Sequence, residues 1–350
     1  MKERVLTTKE LNRALLARQL LLQRSPVSLS RALERVAGLQ TQYAPSAYVG
    51  LWSRLRDFHR PALTTALEQR RAVQGTLMRS TIHIVSAGDF PLFAAGIRNS
   101  RREWWTRIQR SQIEGIDMEA VAGLLRARLA RGPARVPELK ELLSAAGFPP
   151  VTWQGAGIWV GMVRVPPSGT WEQRRADLYG LADEWIGAAS ATEAEGLEHL
   201  VRRYLGGFGP APVSDIASWA GVPTNRLLQA VERLPLRLFR DERGARLFDV
   251  AGAPLPGPDT PAPVRFLPTW DATLLVHARR TGILPEPYRP MVFDTKTPHS
   301  VPTFLVDGAV AGTWRYAGGR VQLKPFERLP RKTRQELEEE ARRLAAFHAE

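Results

Sequence analysis

The sequence contains no cysteine, and this absence removes several kinds of chemistry. Disulfide bonds, thiolate nucleophiles, iron–sulfur clusters and cysteine-ligated zinc all require that residue. Long apolar runs are also missing, because no stretch approaches the roughly 18 consecutive apolar residues that a membrane-spanning helix needs. The first residues, MKERVLTTKE, are charged and lack the apolar segment of a secretory signal. We therefore expect a cytoplasmic protein that has no membrane partner.

Sequence motifs of several common enzyme sites are absent as well. The chain has no phosphate-binding loop motif, no G-x-S-x-G nucleophile elbow and no H-E-x-x-H zinc motif. Its six histidines are scattered without the spacing of metal ligands. We therefore expect no metal, no nucleotide cofactor and no other cofactor.

Acidic residues are outnumbered by basic ones, and the excess has two interpretations. The 350 residues include 49 Lys and Arg against 35 Asp and Glu, which gives a net charge of +14. Such a charge favours a polyanionic partner, most simply nucleic acid. Only six of the basic residues are lysine, however, and an excess of arginine with abundant Ala, Gly and Pro is also typical of a G+C-rich genome. The charge alone leaves both interpretations open.

The N-terminal part of the chain has the pattern of a winged helix. Apolar residues recur at helical spacing in residues 7–20, 28–39 and 61–73. Residues 75–85 follow, and their β-branched, alternating pattern predicts one or two strands. Three helices followed by strands is the order of a winged helix. We predict a first winged helix over residues 1–95.

The same order returns in the next part of the chain. Helical patterns at Met118–Arg131 and Val136–Ala146 precede two segments that we predict as strands, Trp159–Val165 and Trp171–Arg174. We predict a second winged helix over residues 96–190.

The third copy has the clearest pattern. Helical spacing covers Glu195–Leu205, Val213–Ala220 and Pro223–Leu234. Residues 236–250 then predict two strands around an Arg-Gly turn. We predict a third winged helix over residues 191–252.

A proline-rich stretch separates these units from the rest of the chain. Residues 251–268 contain six prolines, which interrupt regular structure. Short apolar runs separated by Gly-containing turns follow and predict a small antiparallel sheet or barrel, and a charged helix over Arg331–Phe347 closes the chain. We assign residues 253–350 to this linker, β-barrel-like unit and C-terminal helix. The predicted fold class is therefore α+β, with tandem winged-helix units (each a helix-turn-helix plus a β-wing) before the small sheet and terminal helix.

One segment, GLQTQYAPSAYVGLWSRL from Gly38 to Leu55, stands out as a candidate for chemistry. Gln40 and Gln42 lie where the preceding helix should end, and Pro45 predicts a helix stop. On a regular helix, residues i and i+2 point about 200° apart, so both can face one substrate only at a helix end or an irregular turn. From spacing alone, ordinary polar helix positions with a capping role are the simpler interpretation.

At these residues the sequence resembles the AlkZ/YcaQ family of winged-helix DNA glycosylases. GLQTQ matches the Gln-x-Gln motif of that family, and TLMRSTIHIV matches its Arg-x-Thr-x-His segment. LVRRYLGGFGPAPVSDIASWAG, RFLPTWDATLL and VDGAVAGTW are similar to further family blocks. The resemblance runs from about Leu11 to Trp314, nearly the whole chain.

The resemblance implies a fold of tandem winged helices plus a β-barrel-like unit. It also implies a monofunctional enzyme that hydrolyses the N-glycosidic bond of N7-alkylated purines in double-stranded DNA, including nitrogen-mustard-type or azinomycin-type interstrand crosslinks. Its roles would be DNA repair and self-resistance to alkylating antibiotics. The two catalytic glutamines of the family carry over to Gln40 and Gln42. Related proteins of the YcaQ branch have an acid in place of the second glutamine, so this chain is more similar to the AlkZ branch.

The chemistry of this substrate explains why an amide pair suffices. An N7-alkylated purine already carries positive charge and leaves without being protonated. What remains is to position a water molecule and to stabilise a cationic sugar, and amide carbonyl oxygens can do both. A glutamine cannot act as a strong base, which restricts the reaction to good leaving groups.

Two sets of residues are candidates for DNA binding. Arg79, Thr81 and His83 alternate along a predicted strand, so they would share one polar face toward DNA, although a solvated strand face explains them too. Arg240 and Arg243 lie on the third predicted hairpin and could enter a DNA groove, although a plain solvated wing is an equal alternative. The expected partner is duplex DNA carrying alkylated purines, bound by a monomer.

Two other function classes remain open from the sequence. One is a winged-helix DNA-binding transcriptional regulator without catalysis, which has no use for the Gln-x-Gln segment. The other is a structural or ligand-binding protein unrelated to DNA, whose basic charge reflects genomic bias. Strong salt dependence of DNA binding would separate both DNA-related functions from this one.

Overall fold

The chain folds into a mixed α+β structure, which confirms the predicted class. The computed structural model describes residues 3–188, 190–274, 278, 281–293 and 300–350. Within these residues, no helix is both long enough and apolar enough to cross a membrane.

In the described residues the helices are α1 (Thr8–Arg18), α2 (Leu29–Arg35), α3 (Pro45–Arg54), α4 (Arg60–Glu68), α5 (Asp89–Ile108), α6 (Met118–Leu129), α7 (Val136–Ala145), α8 (Val151–Trp159), α9 (Ala182–Ile186), α10 (Glu193–Phe208), α11 (Val213–Ala220), α12 (Thr224–Arg233), α13 (Arg289–Val292) and α14 (Arg331–Ala349). The strands are β1 (Arg4–Leu6), β2 (Leu39–Gln40), β3 (Ala72–Thr76), β4 (Ile82–Ser86), β5 (Ala134–Arg135), β6 (Met162–Arg164), β7 (Leu178–Leu181), β8 (Leu236–Asp241), β9 (Arg246–Val250), β10 (Arg265–Leu267), β11 (Thr303–Val306), β12 (Ala309–Ala317) and β13 (Arg320–Pro325).

A six-stranded sheet in the order β2-β4-β3-β6-β7-β5 forms the centre of the N-terminal half. Its strands come from both sides of residue 95, because β3 pairs antiparallel with β4 on one side and with β6 on the other. Gly75 allows α5 to pack closely on β3, since a Cβ atom there would lie 2.5 Å from the ring of Phe90. The sheet therefore ties the elements around residues 39–86 to those around residues 134–181.

A helix-turn-helix followed by a β-hairpin lies in the next part of the chain, as the third pattern predicted. Thr192 and Glu195 form a reciprocal capping box that fixes the start of α10. Helix α11 ends at Gly221, which adopts the left-handed conformation, and α12 follows. The hairpin β8–β9 is joined by β1, which pairs parallel to β8 and gives a three-stranded sheet. The sequence pattern did not predict the contribution of β1.

The C-terminal part contains a four-stranded antiparallel sheet in the order β10-β11-β12-β13. No helix or strand interrupts residues 251–264, in agreement with the five prolines of that range. Helix α14 packs against β13. Its Leu344 and Phe347 join an apolar cluster that also contains Trp52 from α3.

One predicted strand is wrong. Residues Trp171–Arg174 lie in a loop, and the strand that pairs with β6 on the side away from β3 is β7, at Leu178–Leu181. Ser168 organises this loop, because its hydroxyl accepts hydrogen bonds from the backbone N–H groups of Asp177 and Leu178, at 2.8 and 3.1 Å. Trp171 is buried, and its ring packs edge to face against Tyr48, with the ring centroids 5.6 Å apart.

The largest apolar cluster joins elements from distant parts of the chain. It contains Phe93 of α5, Tyr204 of α10, Trp219 of α11 and Leu305 of β11. Phe93 and Trp219 contact edge to face, with ring centroids 5.9 Å apart. This core holds α11 at the end of the six-stranded sheet where the candidate site lies.

Candidate active site

Gln40 ends strand β2 at the edge of the six-stranded sheet, and Gln42 lies two residues farther on, in a bend before α3. Strand β2 pairs antiparallel with β4, which sets Gln40 opposite His83. The backbone N–H of Thr41 continues the pairing by donating to the carbonyl of Ile82 at 2.8 Å. Neither glutamine belongs to a helix, so the separation of about 200° between residues i and i+2 of a helix does not apply to them.

The prediction that Pro45 stops a helix is also wrong. Pro45 is the first residue of α3, where its missing N–H costs nothing and its fixed φ suits the helix. Residues 41–44 therefore connect a strand to a helix, and Gln42 lies in this connection.

The two amides differ in exposure and in their protein partners. Gln40 is only 7% exposed, and its Oε1 accepts a hydrogen bond of 3.1 Å from Nη2 of Arg79. Gln42 is exposed, and its Oε1 accepts from the backbone N–H of Ile82 at 3.3 Å. A carbonyl oxygen has two lone pairs, so each amide can still accept a hydrogen bond from water.

Arg79 connects the glutamines to the helix-turn-helix. It lies in a 3₁₀ turn with φ of +51°, and its Nη1 donates to the backbone carbonyl of Trp219 at the end of α11. Burial lowers the pKa of Arg79 to about 10, which leaves the guanidinium charged near neutral pH. The turn residue Gly221 lies against this segment, because a Cβ there would be 3.3 Å from the Cα of Arg79.

Thr81 and His83 form a hydrogen-bonded chain behind Arg79. The hydroxyl of Thr81 donates to the carbonyl of Met78 at 3.0 Å, and Nδ1 of His83 lies 3.0 Å from the carbonyl of Thr81. A carbonyl can only accept, so Nδ1 carries the proton. Burial, and then the charges of Arg79 and Arg101, lower the pKa of His83 to about 3. His83 is therefore neutral at physiological pH.

The structure does not bring Arg79, Thr81 and His83 onto one strand face. Strand β4 begins only at Ile82, so Arg79 precedes it in a turn, and His83 is 2% exposed. Arg79 and His83 instead lie beside Gln40, one as its hydrogen-bond donor and the other as its partner across the strands.

Arg240 and Arg243 lie away from the glutamines, on the hairpin of the three-stranded sheet. Arg240 is paired with Glu3 at 2.9 Å and donates to the carbonyl of Gly244 at 2.8 Å. Arg243 is exposed in the turn, and its guanidinium has no partner among the described residues. These two side chains can contact DNA only at some distance from the amide pair.

Two arginines near the site escaped the sequence analysis. Arg101 on α5 donates to the backbone carbonyl of Thr76 at 3.0 Å, and Arg164 on β6 donates to the hydroxyl of Thr76 at 3.1 Å. Nothing distinguishes a single arginine in a chain so rich in this residue. The pairing of β3 with β6 brings Arg164 to Thr76, and Arg101 reaches the same residue from α5.

An aromatic cavity opens at Tyr43, the residue after Gln42. It has a volume of about 300 Å³, and its walls include the rings of Tyr43, Trp171, Trp314 and Tyr316. Arg174 at its rim donates to the hydroxyl of Tyr43 at 2.8 Å. Such a cavity suits a planar group placed next to the amide pair.

No group of three or more His, Asp or Glu side chains with the arrangement of a metal site occurs among the residues that the structure describes. The side chains in hydrogen-bond contact at the site are the amide of Gln40 and the guanidinium of Arg79.

Comparison with known proteins agrees with the family motifs. The sequence profile of a family described as "DNA glycosylase AlkZ-like" matches residues 33–347, which confirms the resemblance drawn from the motifs. Among solved structures, the DNA glycosylase AlkZ of Streptomyces sahachiroi is similar, with a TM-score of 0.79 and 18% identity over 98% of this chain and 97% of that chain. At this identity the likeness shows a shared fold. No protein with a curated description matches.

Proposed function

Because this chain belongs to the AlkZ-like DNA glycosylase family, we propose that it excises N7-alkylated purines from duplex DNA by hydrolysis at Gln40 and Gln42. As a member of that family it is a DNA glycosylase and acts on DNA. Beyond family membership, we propose that the lesions are N7-alkylated purines and that the reaction is monofunctional hydrolysis. We also propose that the enzyme unhooks interstrand crosslinks and acts as a monomer. The observation that supports it is the position of both glutamines beside β4 at the sheet edge, where Gln40 accepts a hydrogen bond from Arg79 and Gln42 accepts one from the N–H of Ile82.

The proposal also includes the architecture that presents the site. We propose three winged-helix units over residues 1–95, 96–190 and 191–252, with residues 253–350 as the β-barrel-like unit. Their support is the order of helices before strands in each unit, together with α11, α12 and the β8–β9 hairpin in the third.

The reaction needs no proton delivered to the leaving base. When the C1′–N9 bond breaks, both electrons pass to the purine and neutralise its cationic ring. The sugar is left with positive charge at C1′, which the negative ends of the amide dipoles stabilise. The oxygen of a water molecule held by an amide carbonyl then bonds to C1′, and the water loses one proton to solvent.

A base-release assay on duplexes containing N7-methylguanine tests this proposal. Gln40→Ala and Gln42→Ala should each slow release by about 10–10³-fold, the range for removing one preorganised polar group, with little change in duplex affinity. Gln69→Ala is the matched control, because Gln69 is exposed outside the site and its Oε1 also accepts from a guanidinium, that of Arg71 at 3.0 Å. Full activity in the double alanine variant would place the catalytic group elsewhere.

Family membership also bears on the alternatives. A regulator without catalysis and a protein unrelated to DNA have no comparable support, because the matched family is one of DNA glycosylases. No observation in the fold favours either of them over an enzyme.

A further inference from the structure

Arg101 and Arg164 approach one threonine from two different elements. The first donates to the carbonyl of Thr76 and the second to its hydroxyl. The two arginines are 9% and 7% exposed, and the Nε atom of each is buried without a hydrogen-bond partner among the described residues. Each guanidinium therefore retains donors that the protein does not satisfy.

Three of the other four buried arginines among the described residues have a carboxylate partner. The paired ones are Arg13 with Asp307, Arg18 with Asp249, and Arg54 with Asp271. Arg265 makes no ion pair in the described residues, but Glu340 is among the charges around it. For Arg101 and Arg164, in contrast, the described residues provide neither an ion pair nor a nearby carboxylate charge.

No carboxylate faces the two arginines among the described residues, although the Arg164 guanidinium lies over the ring of Tyr179, 5.0 Å from its centroid. Arg79 lies on the same end of the sheet, and both Arg79 and Arg101 act on His83, which is neutral. Burial lowers the pKa of Arg101 to about 10, so this side chain stays charged near neutral pH, and burial also lowers the pKa of Arg164. A buried charge without a partner is costly, and an anion that enters the site would remove the cost.

We propose that Arg101 and Arg164 bind one phosphate of the DNA backbone next to the nucleotide that is excised. The phosphodiester is the anionic group of DNA, and the guanidinium fork matches its oxygens in geometry and charge. Thr76 lies opposite Ile82 across β3 and β4, and the N–H of Ile82 is the group that holds Gln42. Because phosphates flank the sugar whose glycosidic bond breaks, a phosphate at Thr76 positions that sugar against the amide pair. The inference rests on the proposed function in assigning the amide pair to catalysis.

Neutralising single phosphates tests this inference without requiring any base release. Duplexes with a stable abasic-site analogue carry one methylphosphonate at a time, on either side of the lesion position, and binding is followed by fluorescence anisotropy. We expect one position near the lesion at which the wild-type protein loses about 10–100-fold in affinity. Arg164→Gln should lose a similar factor on unmodified DNA and become insensitive at that position. For this variant, the slope of the logarithm of the binding constant against the logarithm of the salt concentration should fall in magnitude by about one.

Arg243→Gln is the matched control, because its guanidinium is free of described partners but lies on the distant hairpin. This variant should keep the wild-type sensitivity at the same phosphate. A profile without any sensitive phosphate near the lesion would overturn the inference, and so would equal sensitivity in wild type and Arg164→Gln.

The stability of the DNA-free protein separates binding from a structural role. Since Arg164 is buried without a counter-ion, Arg164→Gln should leave the Tm unchanged or raise it. A lower Tm with normal DNA affinity would mean a structural role and contradict the inference. If the variant does not fold, the wild-type methylphosphonate profile decides alone. If the wild-type protein shows the expected phosphate profile but releases no base, the proposed catalysis is contradicted and the phosphate site is not.

Discussion

Arg79 and Gln40 are joined by a hydrogen bond of 3.1 Å from Nη2 to Oε1, while Nη1 of the same guanidinium donates to the carbonyl of Trp219. Arg79 thus connects β2, which carries Gln40, to the end of α11 in the helix-turn-helix. The bond also fixes which end of the Gln40 amide faces the protein, and so the direction in which its remaining lone pair and its N–H groups point.

This connection predicts the behaviour of Arg79→Lys. An ammonium group retains the charge but cannot span both acceptors as the planar fork does. We expect the rate of N7-methylguanine release to fall by about 10–100-fold in single-turnover assays, while duplex affinity changes little.

Arg71→Lys is the control for this substitution, because Arg71 also donates to a glutamine oxygen but lies outside the site. It should release the base at the wild-type rate. An unchanged rate in Arg79→Lys would show that the orientation of Gln40 does not depend on the fork.

The contact between Gly221 and Arg79 gives a second prediction. Gly221 has φ of +71°, and a Cβ there would lie 3.3 Å from both the Cα and the N of Arg79. Gly221→Ala should therefore lower the free energy of unfolding by about 1–2 kcal/mol and also slow base release.

Gly244→Ala separates the strain of a side chain at positive φ from the contact with Arg79. Gly244 has a similar φ of +84°, but a Cβ there would meet nothing within 4 Å. Its substitution should lower stability by about 1 kcal/mol and leave base release unchanged. Equal rates in the two alanine variants, measured beside their denaturation curves, would contradict the coupling of Gly221 to Arg79.

The buried His83 predicts a pH dependence of stability. In the folded protein the pKa of His83 is lowered to about 3, against 6.5 for a free histidine. Between these values the unfolded chain binds more protons, so the free energy of unfolding falls as the pH drops from 6.5 toward 3. The contribution of one such histidine is about 1.4 kcal/mol per pH unit at most.

His83→Asn removes this titration but keeps a donor for the carbonyl of Thr81. Urea denaturation at several pH values between 4 and 7 should show a shallower loss of stability in the variant than in the wild type. A residual slope is expected in both, because burial also lowers the pKa of His348 to about 4. Parallel curves would mean that His83 is protonated in the folded state.

The amide chemistry limits the range of substrates. General acid–base catalysis contributes about 10²–10⁴ in rate, and a neutral base such as uracil or unmodified guanine depends on it to leave. In a duplex series that differs only in the target base, N7-alkylguanine should be released and the neutral bases retained. Efficient excision of uracil would show that a general acid acts at the site.

Local sequence signals predicted the parts of this molecule that depend on local structure. The amphipathic helices around the helix-turn-helix and the hairpin at residues 236–250 were correctly predicted, because helical spacing and a turn of Arg-Gly act over a few residues. The position of Pro45 was misread, since proline is favoured at the first position of a helix as well as after its end.

Pairing between distant segments could not be read from the sequence. Nothing in Arg4–Leu6 indicates that it adds to β8, and nothing near Arg164 indicates that β6 pairs with β3. The predicted Gln-x-Gln pair lies at the end of the sheet, but its neighbours Arg101 and Arg164 belong to elements that only tertiary packing brings there.

The six-stranded sheet also determines which molecule must change shape during the reaction. Its strand pairing runs continuously from β2 to β5, so a hinge motion between residues 39–86 and residues 134–181 would have to break strand pairs. The cost of bringing a lesion to the amide pair therefore falls on the DNA, as bending and unstacking of the duplex. Lesions that lie in easily kinked pyrimidine–purine steps should therefore reach the site with the least elastic work.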